Sequence, residues 1–404
     1  MGTLIGFEVK KILMKKSTIV AFLILFGIQI LLAFMGNMGS TYINDEFYET
    51  HAERNRIDRE NGIALSGRAL DESLLAEVRE AWAELSLTSW DGKEYMWSDV
   101  YKEKVRKYDD LTMRLKAWGA GSGYSFDNIT EEKLYGLFEE RYAELAEAYE
   151  LKEGEVAYWE EKNATLTKPY TYEYAFAYEQ MVDMQGAYMT CMLVTFFIAI
   201  SMVTVFADEH TGKTDQLILC ARHGKTKLYA AKILAGSTVV FGVNLLFALV
   251  HMVGLFICYG TEGFGASLQA VVAPWYAYEL SMGETFLIVS GLMLLSSVMV
   301  AVFAMLLAEI LRSSIGAMAV VVGLLFAARL IPMPVSVRFL AQGWNFMPIN
   351  LLKLDQGFLD LRLVNLLGLK LTNWQFAPIL YVLLIAVMVF VGGKVYRRYQ
   401  VTGR

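Results

Sequence analysis

Residues 189–206 read MTCMLVTFFIAISMVTVF, an apolar run with no charged side chain. A bilayer core of about 30 Å takes about 20 such residues as a helix, the form that satisfies every backbone group inside its own segment. The run extends to 185–206, others cover 18–36, 233–259, 285–311 and 377–393, and a shorter one at 315–331 carries Arg329 and is followed by Pro332. Composition agrees, with 55% hydrophobic and 19% charged residues, against about 45–50% and about 25% in soluble domains. The expected fold is an all-α integral membrane protein with six transmembrane helices, multi-pass in the plasma membrane.

Lysine and arginine in short loops set orientation, because long domains cross regardless of charge. Lys10, Lys11, Lys15, Lys16, Lys213, Arg222, Lys225, Lys227, Lys232, Arg312, Lys394, Arg397, Arg398 and Arg404 fall on one side of a six-span chain, whereas on the other side the loop 260–284 has neither residue type and 331–376 has four, Arg338, Lys353, Arg362 and Lys370. Both termini, including the tail 394–404, are therefore expected in the cytoplasm. The segment 37–184 then lies outside. Residues 38–183 hold 32 Asp and Glu against 17 Lys and Arg, so the acidic charge of the chain is concentrated there. Its cysteine-free sequence excludes a disulfide framework.

Within 37–184, SLLAEVREAWAEL places Leu74, Leu75, Val78, Ala81, Trp82 and Leu85 at helical spacing, and EKLYGLFEERYAELAEAYE does the same with Leu134, Leu137, Phe138, Tyr142 and Leu145. The pattern predicts a helical extracytoplasmic domain. GAGSG at Gly119–Gly123 lacks the final glycine of a dinucleotide fingerprint, Tyr124 standing in its place, and reads as an interhelical turn. Segment 332–376 is too polar to span and too apolar for a free loop, which predicts short external helices dipping into the outer leaflet.

Residues 1–17 predict an amphipathic helix along the inner membrane surface, with Ile5, Val9, Ile12 and Leu13 on one face and Glu8, Lys11 and Lys15 on another. Two Gly-Lys-Thr triplets, Gly212–Thr214 and Gly224–Thr226, follow the run 189–206. A phosphate-binding loop needs a glycine five positions before its lysine-preceding glycine, and Ala207 and Leu219 occupy those places. The preceding segment is a span where a buried strand is required. No metal-ligand spacing joins His51, His210, His223 and His251, and no nucleophile elbow occurs. The chain is expected to bind no metal and no cofactor, and not to be an enzyme.

Polar residues inside spans cost free energy unless they face protein or water. Asn244 and His251 are seven apart and share a helix face, where they either line a pathway or bond between packed helices. Glu309 and Arg312, at the end of 285–311, suit a local ion pair.

The loop 207–232 carries the decisive pattern. Phe206, Glu209, Gly212 and Thr214 in FADEHTGKTDQLIL, followed by ARHGKTKLYAAKIL with Arg222 and Lys232, resemble the motif F-x-x-E-x-x-x-G-T…LL…R…K of ABC-2 type permeases, the membrane subunits of bacterial ATP-binding-cassette transporters. Lys213 separates the glycine from the threonine here. The basic N-terminal helix with Glu8 is also similar to that family's interfacial helix, and the resemblance covers the six spans but not the long external domain. It implies a coupling helix that docks on a separate cytoplasmic ATPase subunit, which would hold ATP and magnesium. Glu209, Gly212, Thr214, Leu217, Arg222, Lys225 and Lys232 would be the coupling residues. It implies a homodimer or a heterodimer with a paralogous permease, surrounded by lipid, exporting or otherwise moving an unidentified substrate. A receptor whose external domain binds a ligand and signals through a partner is the alternative.

Overall fold

The computed structural model describes residues 1–85, 94–120, 126, 128–182, 184–212, 224, 226–353, 357–358 and 360–398. They are mostly helical. Five helices are long and apolar enough to cross a membrane: Lys16–Asn37, Phe176–Thr211, Lys227–Tyr259, Met282–Leu311 and Asn373–Arg398. The sixth apolar helix, Ser314–Leu330, has 17 residues and is shorter than the others. Residues such as Leu23, Ile24, Leu383 and Val387 are exposed on these helices, a surface suited to hydrocarbon and costly in water.

The chain divides into two compact units. The first comprises Met1–Leu31, Asp183–His251 and Val289–Arg404. Its core gathers Val194, Phe197, Ile198, Met202, Val240, Phe247, Val302 and Met305, all buried. Polar residues between its helices are bonded across the packing, as where Gln29 Nε2 donates to Thr190 Oγ1 at 3.3 Å. After Ser314–Leu330 come two short helices, Arg338–Asn345 and Pro348–Leu351, in the segment where short helices were expected. The same segment also holds a β-hairpin, Val364–Leu366 with Leu369–Leu371. Its turn puts Leu367 at φ 53° and Gly368 at φ 91°. A leucine in that left-handed region is uncommon, which is why no turn was legible there. Buried Asp360 holds the segment together: Arg362 reaches both its oxygens at 2.8 Å, and Asn345 and Asn373 donate to Oδ2 at 2.8 and 3.0 Å.

The second unit comprises Leu32–Val182 and Met252–Ile288. It is helical, as its periodicity predicts, but with two corrections. It opens on a β-hairpin, Ser40–Ile43 with Glu46–Thr50, whose two-residue turn has Asn44 and Asp45 at φ 51° and 65°. Those are the residue types that tolerate the paired positive φ of a tight hairpin turn. It also recruits 252–288, which hydropathy alone reads as a span end and a loop: Arg114 Nη1 donates to the Ala270 carbonyl at 3.2 Å, Trp118 Nε1 to Val272 at 3.3 Å and Tyr170 Oη to Pro274 at 3.2 Å.

Its helices start where side chains cap them. Thr50, Asp71 and Thr130 accept the backbone N–H three residues on, opening His51–Leu65, Glu72–Glu84 and Glu131–Ala148, each with Glu in its first turn. Leu74, Leu75, Val78, Trp82 and Leu85 are buried together with Tyr108, Leu111, Leu115, Phe126, Leu134 and Phe138. Burial of each large apolar side chain contributes about 1.5–3 kcal/mol. Leu137, Tyr142 and Leu145 are only half-buried, on the helix face nearer solvent.

Candidate functional site

Within the first unit, three helices converge on one lysine. Lys232 is in the first turns of Lys227–Tyr259, Glu8 on Gly2–Leu13 and Glu209 on Thr204–Thr211. Lys232 Nζ lies 3.1 Å from Glu8 Oε2, 2.6 Å from Glu209 Oε1 and 3.1 Å from the Val205 carbonyl. Its three N–H donors thus face three acceptors. The side chain is 0% exposed, and Glu8 and Glu209 are each 4% exposed. An ammonium buried without partners would cost several kcal/mol, so full saturation is what makes this position tolerable.

The network spreads from there. Lys11 Nζ adds a second contact to Glu209 at 3.3 Å, and Lys15 pairs with Asp208. His210 Nε2 lies 3.1 Å from Glu309 Oε2, bringing in the helix Met282–Leu311. Glu309 therefore has a partner 99 residues away in sequence. The Phe206 ring sits 5.5 Å from Lys232 Nζ and packs on Tyr229 and Tyr396, at 5.8 and 5.7 Å between centroids. Tyr229 Oη donates to the Val389 carbonyl at 2.8 Å, so the last helix joins the cluster.

Residues from two separate sequence segments, 1–17 and 207–232, are thus brought to one place: Glu8, Lys11 and Lys15 with Glu209 and Lys232, the last two on helices that extend into the segment expected as a loop. The location of Glu8 corrects the sequence reading. At about 100° per residue it stands about 40° from Ile12, at the border of the apolar face, and it is buried beside Ile12 while Leu13 is exposed. That border position was the available signal. Gly212 ends its helix, its N–H donating to the Asp208 carbonyl at 2.8 Å. Thr214, Leu217, Arg222 and Lys225 lie outside the described residues.

Asn244 and His251 are both buried on Lys227–Tyr259. Asn244 Nδ2 donates to the Met293 carbonyl at 3.1 Å and to Ser297 Oγ, linking two long helices. An apolar cavity of about 330 Å³ also lies in this unit, walled by Met299, Phe303, Leu325, Phe346, Tyr381 and Met388. Among the described residues, no group of His, Cys, Asp and Glu is arranged to hold a metal ion.

No protein-family model matches the chain, and neither a curated protein nor a solved structure matches it.

Proposed function

We propose that this chain is the membrane subunit of an ATP-binding-cassette transporter of the ABC-2 type, an exporter driven by a separate ATPase subunit. In this reading it has six spans, with both termini in the cytoplasm and 37–184 outside. Two copies, or this chain and a paralogous permease, form the translocation unit.

The observation that supports it most is the buried contact of Lys232 with Glu8 and Glu209. A transporter driven from outside its own chain needs the driven loop to move rigidly with the spans. Here the end of the helix entering that loop, the start of the helix leaving it and the N-terminal helix share one saturated ion cluster. Displacing one of the three without the others would strand a buried charge, which costs about 3–5 kcal/mol. The elements therefore move together, and the long helices rock between two packings as the ATPase closes and opens.

The test is purification of the chain from its native host through a tag, identification of any ATPase that comes with it, and measurement of ATP turnover by the purified complex. Co-purification with turnover that falls in Glu209→Ala is the expected result. Absence of any ATPase from the purified protein, or turnover indifferent to Glu209→Ala and Leu217→Ala together, would sink the proposal.

A further inference from the structure

The second unit contains a cavity of about 250 Å³ whose lining includes Arg54, Asp58, Asp110, Tyr174, Phe176 and Tyr259, with Asn55 and Met113 among the rest. Its polar groups differ in how far they are satisfied. Asn55 Nδ2 donates to the Gly36 carbonyl at 2.8 Å and to Asn37 Oδ1 at 2.9 Å. Asp110 Oδ2 accepts from the Tyr172 hydroxyl at 2.6 Å and forms an ion pair with Arg114 Nη2 at 2.9 Å. Asp58 is the exception: Arg54 Nε approaches only Oδ2, at 3.5 Å, and buried Oδ1 receives no hydrogen bond from the described residues. A buried carboxylate oxygen is acceptor-only, and leaving it unfilled costs free energy. Aromatic rings share the lining: Phe176 and Tyr259 meet edge to face at 4.8 Å, and Tyr174 borders the same space. A free acceptor next to aromatic rings is the chemistry that holds an ammonium.

We infer that this cavity binds a small organic cation, an aryl- or alkylammonium, with its nitrogen donating to Asp58 Oδ1 and its apolar body against Tyr174, Phe176 and Tyr259. The size fits: the space is below the range of about 300–1,000 Å³ typical of sites for drug-sized molecules. Charge fits as well, since Asp58 and Asp110 line the space with Arg54, and Asp110 is already paired with Arg114. The site does not depend on the transporter reading and stands or falls on its own ligand.

Burial pushes the Asp58 carboxyl up to about 6, with Arg54 and Arg106 pulling it down and Glu49 and Asp110 pushing it further up, and the Asp109 carboxyl faces it as well. Binding therefore holds at neutral pH and weakens below about pH 6 as Asp58 takes a proton.

The full chain in nanodiscs is titrated with phenethylamine and followed by ligand-observed NMR. Saturable binding near neutral pH is expected. N-acetylphenethylamine, which keeps the ring but loses the charge, and 3-phenylpropionate, which reverses it, should bind roughly tenfold or more weakly. Asp58→Asn should weaken phenethylamine by a similar factor, whereas Glu60→Gln on the exposed side of the same helix should not. Met113→Trp, which fills the cavity and leaves Asp58 in place, should abolish binding. Should Asp58→Asn fail to fold, the ranking of the three probes on the unaltered chain decides. No saturable phenethylamine binding, equal binding of the acetylated probe, or undiminished binding by folded Asp58→Asn would each overturn the inference.

Discussion

Lys232 and Glu209 stand 2.6 Å apart, nitrogen to oxygen, on two helices that residues 212–226 separate in sequence. The lysine is fully buried, so this contact and its companion at Glu8 decide whether the position can be occupied by a charge at all.

Lys232→Met removes the cation and leaves Glu8 and Glu209 buried with reduced compensation. A loss of about 3–5 kcal/mol is expected, read as a fall in the unfolding temperature of the purified chain. Combining it with Glu8→Gln and Glu209→Gln should recover most of that loss, because neutral groups of similar shape carry no uncompensated charge. A triple variant as unstable as the single one would contradict the electrostatic account.

Asp109 supplies a pH-dependent prediction. Burial pushes its carboxyl up to about 7, while Tyr101 donates to it and Arg106 and Arg54 pull in the other direction. A carboxyl with a folded value above its unfolded one of about 3.9 binds more protons folded than unfolded, so it takes stability away as pH rises between those values. Asp109→Asn abolishes this titration. Its unfolding temperature relative to the unaltered chain should climb from about pH 4 to about pH 7 and level off above. A difference that is flat across this window would refute the assignment.

Gly254 marks a close helix crossing inside the second unit. A Cβ there would stand 2.6 Å from Ala33 Cβ and 2.7 Å from the Ala33 carbonyl oxygen. Backbone cannot swing aside as a side-chain tip can, and small residues are what let apolar helices approach this closely. Gly254→Ala should cost about 1–3 kcal/mol through overpacking, seen in thermal unfolding. The same change at Gly242, where a Cβ meets nothing within 4 Å, is the control and should be neutral or slightly stabilising.

A double-mutant cycle separates the roles open to Asn244. With Asn244→Ala, Ser297→Ala and the pair, unfolding should report a coupling of about 0.6 kcal/mol and no more than about 1.7. Zero coupling would mean that the bond from Asn244 to Ser297 contributes nothing to packing.

Much of the fold was legible because its signals are local. The run from 189 to 206 reads as a buried apolar helix from composition, and Leu74, Leu75, Val78 and Trp82 read as one core face from their spacing. The Asn44-Asp45 turn was legible in principle and went unread beside the surrounding helical pattern, whereas Leu367 in a left-handed turn offered no signal. The site was legible only in its parts. Glu8 read as a surface residue because a helix wheel shows where a side chain points along its own helix, not what comes to meet it. Its partner is 224 residues away.

Membrane character and helical faces could be read from residue order alone, since hydropathy and periodicity are sums over neighbouring residues. Tertiary structure alone decided which charges are buried. The free energy of Lys232, Glu8, Glu209 or Asp58 depends on desolvation and on the distance to groups from other elements, both of which exist only once the chain has packed.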